Sequence, residues 1–414
     1  MEKCEILIKD SIVVKPQNYF FGYVAIQDGK IKKVGRGKSD LRGEVEIKNR
    51  IVTPGFVNLH THVPMVLLRG LGEDAELEEW LTKIIWPIEK KLTPSDIYIS
   101  SKFAFLEMLK SGTIFFNDMY FFPKAIAKAM KEIGIKGVIS CVVLNDEKPI
   151  KEAILLNKKF KKEKGIKISL GPHSEYSCSK EVLKEVASVS KEYNIPIHFH
   201  YAESEKLLKK VKKEIGNPLE VYDSFGFLSE RLTIAHAIHL TKKDIFLLSK
   251  RNVNVAYNAT SNMKLSQGIA RISYMKKKVN IGIGTDGAAS NNSLDIIREA
   301  KIAVLLQKLF FGAKALTAKE AFEMLTKNGS KAIGFENEIE ENKDANLVLF
   351  KANEEMLPLY DPYASIIYSA SSKDVSEVII DGKIVVKNGR IKNEERIKKD
   401  FEKLANRFAP VAQW

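Results

Sequence analysis

The 414-residue chain is 45% hydrophobic and 29% charged, with a formal net charge of +14. That composition describes a globular protein with a large core, and no apolar run approaches the roughly 20 residues that cross a bilayer, so no membrane partner is expected. The lysines are dispersed along amphipathic segments such as Lys158 to Lys164 and Lys206 to Glu214, which read as solvated helix faces and predict no nucleic-acid partner. Cys4, Cys141 and Cys178 lie far apart without C-x-x-C spacing, which excludes a disulfide framework and a thiolate metal site. The opening Met1 to Glu5 lacks the layout of a signal peptide, so a cytoplasmic location is expected.

Residues 3 to 50 alternate as short strands around turns, with Asp28-Gly29 as a hairpin signal. From Ile51 onward, apolar runs alternate with longer helical patterns. Eight such runs are Val52 to Leu59, Thr113 to Phe116, Gly137 to Leu144, Ile166 to Leu170, Ile195 to Phe199, Leu232 to Ala235, Val253 to Tyr257 and Val279 to Gly284. This order predicts an α/β fold, a (β/α)8 TIM-type barrel over residues 51–344. Hairpin patterning returns at Asn346 to Phe350 and around Asp381-Gly382. Residues 1–50 and 345–391 are therefore expected to build one small β-sandwich domain from both termini, and 392–414 a terminal helix and tail.

The candidate chemistry lies at the predicted strand ends, where a barrel of this type carries its site. His60, His62, Asp118, His173, His200, His236 and Asp286 all fall there. Histidines two apart on a strand share a face, so His60 and His62 can bind one ion. With His200 and Asp286 they make a set of three imidazoles and one carboxylate. That set suits one divalent ion, zinc or alternatively iron, with a position open to water.

The ordered motifs Pro54-Gly55-Phe56-Val57-Asn58-Leu59-His60-Thr61-His62, Gly171-Pro172-His173, His200-Tyr201-Ala202-Glu203, Ala235-His236, Ser261-Asn262-Met263-Lys264-Leu265 and Gly284-Thr285-Asp286-Gly287 resemble the amidohydrolase superfamily. Trp80 to Glu89 is similar to a segment of its deaminases of methylthioadenosine, S-adenosylhomocysteine and 5′-deoxyadenosine. The resemblance implies hydrolytic loss of the 6-amino group from an adenine nucleoside. It implies that Glu203 handles the proton at purine N1, that Asp286 accepts a proton from the attacking water and that His236 orients that water. Glu89 would then bind the ribose hydroxyls, and His173 would donate to base or sugar.

Two-metal relatives carry a bridging lysine; Lys167, the nearest candidate, opens its strand and belongs at the far end of the barrel, which implies one ion. Relatives that favour S-adenosylhomocysteine pair its carboxylate with an arginine, yet no arginine occurs between Arg69 and Arg231. Lys148 is a partial substitute without the bidentate fork, so an uncharged 5′ end is expected. Tyr257-Asn258 departs from the histidine of many relatives and puts nearby pocket contacts in question. A homo-oligomer is also implied.

The alternatives are a guanine, cytosine or triazine hydrolase on the same metal set, and a non-catalytic lysine-rich binding protein. His198 is expected to be a packed core residue, His239 a helix cap or solvent-exposed, and Asp118 a loop cap. Trp80 and Trp86 read equally as helix core and as pocket wall. Ser261-Asn262 reads as a loop stabiliser.

Overall fold

The computed structural model describes residues 2–409. Strands β1 (Lys3–Val14), β2 (Tyr19–Gln27), β3 (Lys30–Arg36), β4 (Arg42–Lys48) and β5 (Ile51–Pro54) come first. The hairpin of β2 and β3 turns at Asp28-Gly29, where both residues have positive φ, 52° and 75°, as the tight turn requires. β1 pairs along one edge with β2 and along the other with β4 and then β5. Its twelve residues give room for both, Lys3 to Lys9 pairing with β4 and Ile12 to Val13 with β5, while its register against β2 shifts between Ile8 and Ser11.

The barrel follows as β6 (Phe56–Thr61), β7 (Thr113–Tyr120), β8 (Lys136–Val143), β9 (Ile166–Pro172), β10 (Ile197–Tyr201), β11 (Leu232–His236), β12 (Asn254–Tyr257) and β13 (Asn280–Ile283). Neighbours in this order are parallel. Almost every residue in these strands is buried, as expected for strands covered on both faces. Between β6 and β13 the circuit is closed at the site end by the Asp286 N–H, which donates to the His60 carbonyl at 2.9 Å. Asn58 bridges the same seam: its Nδ2 donates to Thr285 Oγ1 at 2.7 Å and its Oδ1 accepts the Thr285 N–H at 3.0 Å.

The expected first barrel run, Val52 to Leu59, is divided. Ile51–Pro54 pairs with β1 and with β14 (Leu347–Phe350) in the terminal sheet, and the barrel begins at Phe56. Gly55 is the joint, because a side chain there would meet Ile114 at 2.7 Å. β15 (Val375–Ile380), β16 (Lys383–Lys387) and β17 (Arg390–Ile391) complete a nine-stranded mixed sheet built from both ends of the chain. That sheet encloses its own cluster, including Ile6, Ile8, Val24, Leu347 and Ile379. The helix Glu394–Ala405 stacks Phe401 on Phe103 with ring centres 4.0 Å apart. The expected tail beyond residue 409 lies outside the described residues. Among the described residues no helix is long and apolar enough to cross a membrane.

Candidate metal centre and substrate cavity

The strand ends bring His60, His62, His200 and Asp286 together, although they come from β6 and the residue just after it, from β10 and from the turn after β13. Each imidazole has its Nδ1 engaged. His62 Nδ1 lies 2.5 Å from the Met119 carbonyl and His200 Nδ1 lies 2.7 Å from the His173 carbonyl, so both donate. His60 Nδ1 lies 2.8 Å from His198 Nε2. These partners turn the Nε2 atoms inward. His62 and His200 Nε2 stand 3.2 Å apart, and Asp286 Oδ1 lies 3.2 Å from His62 Nε2 and 3.4 Å from His60 Nε2.

His60 Nε2 is buried without a hydrogen-bond partner. An orphaned nitrogen among converging imidazoles and a carboxylate is a donor set able to hold a divalent ion, with partners behind the imidazoles fixing their orientation. The electrostatics agree. Burial drops His60 to about 3. Burial also opposes a proton on His62, but the hydrogen bond and charge of Asp286 outweigh it and raise that ring to about 9. Asp286 itself is held well below the carboxylate range: burial acts against this, and His60 and His62 overcome it. A cation is what this carboxylate calls for, and an ion would take the place of the His62 proton.

Backbone strain collects at the same rim. Ala202, His236, Ala237 and Asp286 have positive φ of 54°, 72°, 52° and 64°, conformations held by surrounding contacts at functional sites. Asp286 accepts the Ser261 hydroxyl at 2.6 Å and the Gly287 N–H at 2.7 Å. Asn262 Oδ1 lies 2.9 Å from His236 Nδ1, which leaves His236 Nε2 facing Glu203 Oε1 at 3.8 Å.

A cavity of about 940 Å³ opens over this cluster. His62, Glu89, His173, His200, Glu203, His236 and Asp286 line it, and His60 lies buried beneath. Glu203 is 6% exposed, and burial raises its carboxyl while the charge of His236 pulls the other way. Burial also raises Glu89, whose carboxyl faces the Tyr120 hydroxyl and His62. Burial lowers His173 to about 4, so its ring is neutral; Nδ1 is taken by Ser177 Oγ at 2.9 Å. Trp80 and Trp86 both wall the cavity. Trp80 is also core, its indole N–H donating to the Leu71 carbonyl at 3.0 Å.

Residues 51–385 match the amidohydrolase family. The chain belongs to that family. It is 41% identical over 418 residues to a 5-methylthioadenosine/S-adenosylhomocysteine deaminase from Archaeoglobus fulgidus, covering 98% of each chain. It is 38% identical over 405 residues to a 5′-deoxyadenosine deaminase from Methanosphaera stadtmanae, covering 94% of this chain and 95% of the relative. A solved adenosine deaminase from Xanthomonas campestris with bound zinc superposes at a TM-score of 0.95, with 28% identity and coverage of 99% and 100%.

Several residues of this amidohydrolase do other work than the sequence suggests. His198 is buried as expected, but it also contacts His60. Ser261 and Asn262 reach Asp286 and His236, so they do more than stabilise a loop. His239 caps no helix: Thr241 accepts the Asp244 N–H and caps Lys242–Lys250, while His239 is half-buried. Lys148 is exposed and does not line the cavity; Lys90 and Lys124 do. Asp118 caps a turn as expected, accepting the Val63 N–H at 2.7 Å, and burial raises it to about 7. Lys167 bonds the Ile333 carbonyl at 3.2 Å and lies over the Phe335 ring, away from the imidazoles. Asn258 places Nδ2 3.4 Å from His236 Nδ1.

Glu175 went unremarked in the sequence. It is 5% exposed, accepts the N–H of strained Ala202 at 3.1 Å and is pushed by burial to about 8. Its available signal was its position two residues after His173, just beyond a strand end.

Proposed function

We propose that this amidohydrolase removes the 6-amino group of adenine nucleosides, converting nucleoside and water to the 6-oxopurine and ammonia. The observation that carries the reading is Glu203, a buried carboxyl with raised proton affinity, set beside His236 and the imidazole cluster on the floor of a nucleoside-sized cavity. His60, His62, His200 and Asp286 would hold one ion, zinc being the proposed metal. Such an ion supplies Lewis-acid activation of water, lowering its pKa from 15.7 towards about 7.

Glu203 delivers its proton to purine N1, which makes C6 electrophilic. The water oxygen bonds to C6 as Asp286 takes the first water proton, with His236 Nε2 orienting the nucleophile. Asp286 then passes that proton to the amino group, the C6–N bond breaks and ammonia leaves. The remaining hydroxyl proton returns to Glu203 as the 6-oxo group forms. Atoms and charges balance, and both carboxyls end as they began.

Glu89 is assigned to the ribose hydroxyls, and His173, with Nδ1 already engaged, offers Nε2 to base or sugar. The uncharged 5′ ends of 5′-deoxyadenosine, methylthioadenosine and adenosine fit the mainly apolar wall. A cytoplasmic homo-oligomer with no nucleic-acid partner completes the proposal. The test is the ultraviolet change from adenine to hypoxanthine when zinc-loaded protein meets these nucleosides and S-adenosylhomocysteine, with guanine alongside. Turnover of adenine nucleosides supports the assignment; silence with all of them while guanine is consumed overturns it.

A further inference from the structure

We propose that Lys124 and Glu152 select the 5′ end of the nucleoside by neutralising each other across the cavity mouth. This inference rests on the adenine-nucleoside reading above. Lys124 stands in the first turn of the helix Pro123–Ile133, and Glu152 in the helix Lys148–Phe160. Their Nζ and Oε1 atoms are 2.9 Å apart at the solvent edge of the cavity that holds the imidazole cluster, the Lys124 side chain 69% exposed and that of Glu152 34%.

With Glu203 assigned to the base and Glu89 to the ribose, the 5′ substituent is assigned to the wall formed by the turns after β7 and β8. Around the ion pair that wall is apolar: Phe121, Phe122, Val142 and Leu144 face the cavity. Phe122 adopts φ 57°, a left-handed conformation that is strained for an aromatic residue. Phe121 and Phe122 nevertheless remain 37% and 39% exposed. Large apolar side chains held at an open mouth at the expense of backbone strain make a surface for an apolar group.

The pair decides what charge can join it. A methyl or methylthio group meets the aromatic wall and a salt bridge with no net charge. An amino-acid end is a zwitterion: its carboxylate must compete with Glu152 for Lys124 and its ammonium with Lys124 for Glu152, so it enters only by breaking the bridge that a methyl or methylthio group leaves intact. Lys90, the other lysine on the cavity wall, follows Glu89 in the chain, outside the turns after β7 and β8.

The experiment compares kcat/KM for S-adenosylhomocysteine and 5′-deoxyadenosine in zinc-loaded wild type, Glu152→Ala, Glu152→Gln and the double variant Lys124→Ala/Glu152→Ala. The wild type should favour 5′-deoxyadenosine. Either single change frees Lys124 and should raise the ratio for S-adenosylhomocysteine about fivefold, the range of a solvent-exposed ion pair, and the double variant should bring it back to within about twofold of wild type. A ratio that stays fixed or falls in both single variants overturns the inference, a fall meaning that the pair receives the zwitterion. A gain that survives in the double variant also overturns it, by assigning the effect to another cation. An active wild type with an unmoved ratio refutes only this inference; a wild type silent with these two and also with methylthioadenosine and adenosine refutes the deaminase reading together with it.

Discussion

Replacing Glu203 by Gln isolates proton delivery from everything else at the site. The side chain is 6% exposed and lies 3.8 Å from His236 Nε2, and its burial raises its affinity for a proton. Glutamine has nearly the same shape, so the cavity and the ion ligands keep their places, but an amide cannot give N1 a proton and take one back. General acid–base catalysis contributes about 10²–10⁴-fold, so kcat should fall by that factor, or about 2.7–5.5 kcal/mol of barrier. Metal content measured by elemental analysis should stay at the wild-type level. Because the raised carboxyl works in its protonated form, wild-type kcat/KM should fall as pH rises through its pKa, and that limb should vanish in the variant. A Glu203→Gln enzyme within about tenfold of wild type, with the alkaline limb intact, would refute the proton-transfer assignment.

His200→Ala should lose bound zinc and turnover together, read by elemental analysis and the same ultraviolet assay. Zinc added to metal-free protein at about pH 6, where a water activated to about 7 still keeps its proton, should release about one proton, because the ion replaces the one His62 holds with a pKa of about 9; calorimetry in buffers of different ionisation enthalpy measures it. Asn58→Ala removes two buried hydrogen bonds across the β6–β13 seam and leaves the Thr285 N–H unpaired. It should cost about 2–4 kcal/mol in denaturant unfolding. Glu175, at about 8 when folded and near 4.5 when unfolded, binds its proton more tightly in the native state. Its contribution is therefore complete below about 4.5 and is lost as pH rises towards 8. Glu175→Gln should match wild-type stability near pH 5 and exceed it above pH 8 in thermal unfolding.

Strand alternation and the Asp-Gly turns are local properties of the chain, which is why the eight barrel runs and the hairpins at both ends were legible. The H-x-H of His60 and His62 was legible for the same reason, since two residues on one strand face need no knowledge of the rest of the fold. The division of the Val52 to Leu59 run was not. Ile51–Pro54 and Phe56–Thr61 are equally apolar, and only pairing with β1 and β14 on one side of Gly55 and with β7 on the other separates them.

Sequence alone determined the residue types at the strand ends, and with them a nitrogen-rich metal set, a carboxyl close behind His200 and a barrel to hold both. Tertiary structure decided what each of those groups touches. His198 meets His60 from 138 positions away, Asn58 meets Thr285 from 227, and Lys124, not Lys148, reaches the cavity. Periodicity fixes the direction of a side chain along its own strand, whereas its partner across the barrel depends on the register of eight strands closing at once.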